Sequence, residues 1–112
     1  MKLISAIIRP NQLNIVCESL ERIGIHGMTV THVKGKGNQK KPVEVYRSKE
    51  NEVQFVSRTK VEIFVEDMHI HKVISAIREA ASTGIIGDGK IFVSKVSQVI
   101  RIRTGEADRD AL

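Results

Sequence analysis

Apolar residues along the chain follow two spacings, one typical of strands and one typical of helices. Residues 3–8 are rich in branched aliphatic side chains and stop shortly before Pro10, which favours a buried strand. Apolar residues then recur at helical spacing over 13–23, and Gly24 predicts the end of that helix. The first part of the chain therefore predicts a strand followed by a helix.

The second half repeats this order. Residues 28–33 alternate and predict a second strand, and the pattern then gives a strand at 60–65, a helix at 70–81 and a strand at 91–93. A shorter fifth strand is predicted at 99–103. Two strand-helix-strand halves predict an α+β fold, a ferredoxin-like double βαβ sandwich with its helices on one sheet face.

The other sheet face has no predicted cover. Ile7, Val61, Ile63 and Val65 are more apolar than one helix layer requires, and we assign this surplus to the uncovered face. Closed homo-oligomers are the usual way to bury such a surface. The pattern thus predicts self-association.

Length and charge indicate a single folded domain with one basic segment. At 112 residues the chain predicts a single domain spanning 1–112, and 41% hydrophobic with 28% charged residues is typical of a folded protein. Residues 34–60 contain eight Lys or Arg and three Glu, so the difference, 8 − 3, equals the whole net charge of +5. Most of this segment matches no helix or strand pattern, and a long basic loop is typical of a functional segment that meets an acidic partner or ligand.

Cysteine content and hydropathy bear on location. Cys17 is the only cysteine, which excludes an internal disulfide and favours a reducing compartment. No segment has the roughly 18 apolar residues that a membrane span needs. We therefore expect a cytoplasmic protein without direct membrane insertion.

The densest candidate for chemistry is the glycine-rich stretch 83–90, Thr-Gly-Ile-Ile-Gly-Asp-Gly-Lys. Gly87 and Gly89 around Asp88 permit backbone angles with which successive N–H groups hold phosphate oxygens, and Lys90 adds a positive charge. A helix-ending glycine turn explains the same residues, so both interpretations stay open here.

Arg101 and Arg103 favour the phosphate interpretation. On a strand, alternate residues share a face, so the two guanidiniums would lie side by side with Ile102 buried on the other face. Two such groups suit a polyphosphate, whereas a charged edge strand is the alternative. No matched set of nucleophile, base and orienting group is present, so we predict a binding protein and not an enzyme.

With residues 87–93 (Gly-Asp-Gly-Lys-Ile-Phe-Val) and 100–106 (Ile-Arg-Ile-Arg-Thr-Gly-Glu), the chain resembles the PII nitrogen-regulatory signal transduction proteins of the GlnB/GlnK type. Residues 6–10, 27–31 and 33–35 also match, so the resemblance runs from end to end. It implies a compact homotrimer with ATP or ADP in three clefts between subunits. It also implies a protruding T-loop, corresponding here to 36–56, that meets target proteins.

The resemblance also assigns residues to the ligands. It places around the nucleotide Thr29, Gly35, Gly37, Phe64, Gly87, Asp88, Gly89 and Lys90, with Arg101 and Arg103 on the phosphates. Family members bind 2-oxoglutarate beside Mg²⁺ and ATP, which implies that Gln39 completes the metal coordination. The ketoacid would be bound by Gln39, Lys40, Arg58 and Gly87, with Arg58 standing where a lysine is usual.

Several loop residues depart from the family pattern. Asn51 stands where many bacterial members carry the tyrosine that is uridylylated, and asparagine lacks the phenolic oxygen, so no modification is expected there. Ser48 is a candidate for phosphorylation. Lys36 replaces a usual phenylalanine and Asn38 a usual arginine.

The function that the resemblance implies is a non-catalytic sensor of nitrogen and energy status. Its implied targets include an ammonium transporter or channel, glutamine synthetase and transcription regulators, or nitrogenase if the chain belongs to a nitrogenase-associated branch. Two other classes remain open, a basic nucleic-acid-binding module and a small nucleotide-hydrolysing enzyme. Nucleic acid is not the expected partner, because aromatic residues are only 4% of the chain and a base-stacking platform is missing.

Overall fold

The computed structural model describes residues 1–37 and 54–112. Its strands are β1 (Lys2–Ile8), β2 (Thr29–Gly35), β3 (Val56–Val65) and β4 (Lys90–Lys95), and its helices are α1 (Leu13–Arg22) and α2 (Ile70–Ala81). The sequence predictions that lie outside the described residues concern Asn38, Gln39, Lys40, Ser48 and Asn51.

The four strands form one antiparallel sheet in the order β2-β3-β1-β4. β1 lies between β3 and β4, where Ala6 is opposite Val61 on one side and Ile91 on the other. Both predicted helices are present. The predicted α+β, ferredoxin-like arrangement is therefore confirmed.

The core lies between the sheet and the two helices. In β1, every second residue is buried, which is the period-two pattern of a strand with one covered face. Both helices pack their apolar stripes against this covered face of the sheet. The fully buried large side chains of this core are Ile4, Ile8, Leu20, Ile63, Ile77, Val16, Val61 and Val73.

The assignment of the apolar surplus to the open sheet face was wrong for three residues. Val61, Ile63 and Val65 are buried in the core that the helices cover. Their neighbour Phe64 must then point to the open face, because adjacent strand residues alternate. Phe64 and Phe92 are about half exposed, at 47% and 49%, so the open face does carry apolar surface, but from other positions.

β3 begins earlier than predicted. It starts at Val56, paired with Gly35, and not near Lys60. The polar residues 57–60 hide this part of the strand from a hydrophobicity pattern, but backbone pairing with β2 continues through them. The last residue of the predicted loop 36–56 therefore belongs to a strand.

The predicted fifth strand at 99–103 was also wrong. Ile100 makes only an isolated bridge with Ala107, and the segment between them turns. The Gly105 N–H donates to the Arg101 carbonyl at 2.8 Å, and Gly105 has a φ of 73°, which glycine adopts without strain. The segment therefore forms a turn, although its alternating pattern predicted a strand. Ile102 is fully exposed instead of buried.

Within the two described ranges, neither helix combines the length and the apolarity needed to cross a membrane.

Thr59 offers a test of the core. It is fully buried, and its hydroxyl has no hydrogen-bond partner in the described part of the chain. Valine has nearly the same shape without the hydroxyl, so Thr59→Val should raise the free energy of unfolding by up to ~1 kcal/mol in urea titrations. Thr59→Ser keeps the hydroxyl but loses a methyl group, and should lower it by about 1 kcal/mol. A destabilised valine variant would mean that the hydroxyl is satisfied.

Candidate functional site

The glycine-rich segment between α2 and β4 is organised by the carboxylate of Asp88. This carboxylate accepts hydrogen bonds from the Thr83 hydroxyl, from the Thr83 N–H at 2.8 Å and from the Gly84 N–H at 3.0 Å. Arg9 donates a fourth bond, from Nε to Oδ1 at 3.0 Å. The Thr83 hydroxyl and N–H, aided by Arg9 and Gly84, hold the pKa of Asp88 well below its usual range. Asp88 is therefore an ionised anchor for its own turn.

Arg9 ties this turn to the end of β1. Besides Asp88, its guanidinium contacts the carbonyl of Ile86 through Nη2 at 2.9 Å. The same nitrogen lies 3.5 Å from the Ile85 carbonyl. The sequence analysis did not identify Arg9 as a site residue. Its only local signal was a charged side chain directly after an apolar strand and before a proline.

Gly89 is held against the backbone of β1. Its φ is 97°, and a Cβ atom built there would lie 1.6 Å from the carbonyl oxygen of Ile7. Gly87 also has a positive φ, 111°. Both the positive φ and the lack of space therefore exclude any side chain at position 89. Only glycine lets the backbone approach β1 this closely.

The turn forms one wall of a pocket of about 220 Å³. The opposite walls come from the ends of β2 and β3 and from β4. Six residues of the predicted site line it, namely Gly35, Gly37, Arg58, Gly87, Gly89 and Lys90. The other lining residues are Ile7, Lys36, Val56 and Phe92, which the sequence analysis did not assign to a ligand. For Phe92 a signal existed, since it shares a strand face with Lys90.

The pocket is electropositive. Lys36, Arg58 and Lys90 all line it, and within residues 1–37 and 54–112 none of the three forms an ion pair. The backbone N–H groups of Gly87 and Gly89 likewise have no acceptor among the described residues. Cationic side chains and unbonded N–H groups beside one cavity suit an anion such as phosphate.

Asp88 does not line this pocket. The structure directs its carboxylate to Thr83, Gly84 and Arg9, and its assignment to the nucleotide site stays a prediction. Its contribution to the site is to shape the turn.

Thr29 and Phe64 lie elsewhere. Thr29 begins β2, whereas Gly35 ends it, and six strand steps of about 3.3 Å separate them by roughly 20 Å. Phe64, near the end of β3, borders a different depression of about 490 Å³, together with Gly27, Glu66 and residues from the C-terminal segment. One copy of the chain therefore does not bring the whole predicted set together.

Arg101 and Arg103 belong to the C-terminal turn. Arg101 Nη1 lies 2.7 Å from Glu106 Oε1, and Arg103 is exposed. The segment that follows is tied to the end of β3 by an ion pair between Arg109 and Glu66 at 2.9 Å. The two guanidiniums are not aligned by strand alternation as predicted.

Comparison with known proteins gives the family. The family model for nitrogen regulatory protein P-II matches residues 1–106. The chain belongs to the P-II family. It is 54% identical to the nitrogen regulatory protein P-II of Rhizobium meliloti (strain 1021) and 51% identical to the nitrogen regulatory protein GlnK of Escherichia coli (strain K12). The P-II protein of Azospirillum brasilense is also 51% identical, and each comparison covers 112 residues and 100% of both chains. The resemblance inferred from the motifs is confirmed, and this P-II protein is a member of a family of nitrogen regulators.

The close approach at Gly89 predicts an intolerant position. In Gly89→Ala the added methyl group would meet the Ile7 carbonyl in a conformation that alanine resists, so the free energy of unfolding should fall by more than about 4 kcal/mol. Gly35→Ala is the matched control, because no atom of residues 1–37 and 54–112 lies within 4 Å of its built Cβ. Urea denaturation followed by circular dichroism measures both. Equal stability of the two variants would refute the packing argument.

The low pKa of Asp88 predicts a pH dependence. A carboxyl whose folded pKa is depressed stabilises the fold above its unfolded pKa of about 3.9, and this contribution is lost as the pH falls through the folded value. Asp88→Asn should therefore have a lower Tm than the parent at pH 7, with the difference shrinking below about pH 4. Asp110→Asn, which removes one exposed negative charge, is the control. A Tm difference that is constant from pH 7 to pH 3 would contradict this role.

Proposed function

We propose that this P-II protein binds ATP or ADP, with 2-oxoglutarate as effector, in clefts between the subunits of a homotrimer. Through the segment 36–56 it signals nitrogen and energy status to target proteins, without catalysing a reaction. The observation that carries the proposal is the convergence of six predicted ligand residues on one electropositive pocket. Two other predicted ligand residues, Thr29 and Phe64, lie at the opposite end of the sheet.

The pocket of one subunit supports phosphate binding. Its wall is a glycine turn whose Gly87 and Gly89 N–H groups have no acceptor among the described residues, and Lys90 lies at the start of the strand that follows. N–H groups held in such a concave turn bind phosphate oxygens, and the positive side chains add charge-assisted bonds. The triphosphate or diphosphate is the part of the nucleotide that this wall would hold.

A second subunit would complete the site. At about 220 Å³ the pocket is smaller than the roughly 300–1,000 Å³ typical of sites for whole small-molecule ligands. A neighbouring copy that presents its Thr29 and Phe64 end would add the missing wall, and its exposed Arg103 could then reach the phosphates. The half-exposed Phe64 and Phe92 on the open sheet face support association, because contact between copies would bury them.

2-Oxoglutarate would bind beside the phosphates. Arg58 and Gly87 line the same pocket, and the guanidinium of Arg58 suits a carboxylate, whereas Gln39 and Lys40 lie outside the described residues. Mg²⁺ would be held by the phosphates, the ketoacid and Gln39, because the carboxylate of Asp88 is already engaged in four hydrogen bonds. When bound, the metal would neutralise phosphate charge and be chelated by the ketoacid.

Signalling would follow from a shift between conformations of the segment 36–56. Gly35, which precedes the segment, and Val56, its last residue, line the pocket, so ligands at the pocket can favour one conformation over another through their different contacts. Proteins of nitrogen assimilation are the proposed partners, such as an ammonium transporter, glutamine synthetase or nitrogenase. The proposed location is the cytoplasm, and no uridylylation is proposed, since position 51 is asparagine.

Calorimetric titration tests the proposal. ATP and ADP should bind to the purified trimer, and 2-oxoglutarate should bind only when Mg²⁺ and ATP are present. Arg103→Ala should weaken ATP binding about 10- to 100-fold, as expected for one charge-assisted phosphate bond. Arg22→Ala is the control, because Arg22 is an exposed residue of α1 and its ion pair with Glu18 is long, at 4.0 Å.

Light scattering should give three times the monomer mass of 12.5 kDa. A monomer that produces no heat with either nucleotide would contradict the proposal. Heat from 2-oxoglutarate alone would contradict the chelation model, even if nucleotides bind.

A further inference from the structure

We infer that Arg9 is a positioning residue of the nucleotide site, acting on the phosphate-binding turn without touching the ligand. The inference rests on the proposed function of the pocket and names a residue on which its affinity depends. Arg9 is not among the residues that line the pocket. Its guanidinium instead contacts Asp88 and the Ile86 carbonyl from outside.

The bond to the Ile86 carbonyl orients a donor of the site. The carbonyl of Ile86 and the N–H of Gly87 belong to one planar trans peptide unit, in which they point in opposite directions. When Arg9 holds the carbonyl at 2.9 Å, the Gly87 N–H must point away from Arg9. Gly87 lines the pocket, so this fixes a donor at the wall where phosphate would bind.

Gly87 and Gly89 need such a restraint, because the bonds that Asp88 makes within the turn go to Thr83 and Gly84 and not to these two glycines. Gly87 and Gly89 both have positive φ values, and glycine populates many other conformations at low cost. Ordering them on ligand binding would cost backbone entropy. Arg9 and the contact between Gly89 and Ile7 hold the turn against β1 before any ligand arrives.

The geometry requires arginine. Nε bonds to the Asp88 carboxylate while Nη2 bonds to the Ile86 carbonyl, so two acceptors are held at once by one rigid planar group. A lysine has a single ammonium group on a flexible stem and would not hold both in this arrangement. Arg9→Lys therefore keeps the charge but loses the restraint.

The test measures affinities for ATP and for inorganic tripolyphosphate in the purified trimer. Arg9→Lys should weaken both about tenfold or more and by the same factor, because the loss lies in the phosphate wall. Arg22→Lys, at an exposed position of α1, should change neither. The Tm is measured alongside. A lower Tm with unequal losses of the two affinities would overturn the inference, because a general loosening is not confined to the phosphate wall.

A double-mutant cycle separates a shared role from two independent ones. If Arg9 and Asp88 hold the same turn, the two substitutions together should cost less affinity than the sum of their separate effects. Asp88→Asn removes the other partner of the ion pair between Arg9 and Asp88. It supplies the affinity test if Arg9→Lys does not fold.

The outcomes distinguish this inference from the proposed function. If the unchanged protein binds no ATP, the proposed function fails. If it binds ATP and Arg9→Lys binds within twofold of it, or if the two substitutions are additive, the inference about Arg9 is overturned while the proposed function stands.

Discussion

The carboxylate of Asp88 is the group on which the candidate site depends. It gathers two backbone N–H groups, one hydroxyl and the guanidinium of Arg9, and so closes the glycine turn and fastens it to the first strand. Gly89 fits because its backbone can lie directly against Ile7. Once this turn is fixed, the pocket beside it follows, since the ends of β2 and β3 supply the remaining walls.

The second constraint is the length of a strand. A β-strand of seven residues separates its ends by about 20 Å, so residues at opposite ends cannot contact one phosphate group together. The ligand residues that the motifs indicate are divided in this way between two ends of the sheet. The proposed homotrimer would resolve the division, because the end of one sheet would face the other end of its neighbour.

Much of the fold could be predicted from the sequence, because alternation and helical spacing report directly which side chains face a core. The helices and the strands β1 and β4 follow from those patterns. The start of β3 does not, since its first residues are polar and are held by pairing with β2. The turn at 101–105 was missed because an alternating Arg-Ile-Arg resembles a strand, while Gly105 and Glu106 close a turn.

For the site, the glycines and Lys90 could be predicted from the motif, but the role of Asp88 could not. Its carboxylate bonds in part to Arg9, which lies 79 positions away in the chain, and no spacing rule reports such a pair. The burial of Val61 and Ile63 under the helices was missed for a similar reason. An apolar strand residue does not by itself show which of the two sheet faces is covered.

The most direct measurement is a nuclear magnetic resonance titration of the ¹⁵N-labelled protein, in which the amide signals of Gly87 and Gly89 are followed as ATP or adenosine is added. The account predicts that ATP shifts both signals strongly, that adenosine shifts them far less, and that Gly24 remains unchanged in either case. If ATP binds but leaves the signals of Gly87 and Gly89 where they were, phosphate is held elsewhere and the central claim is wrong.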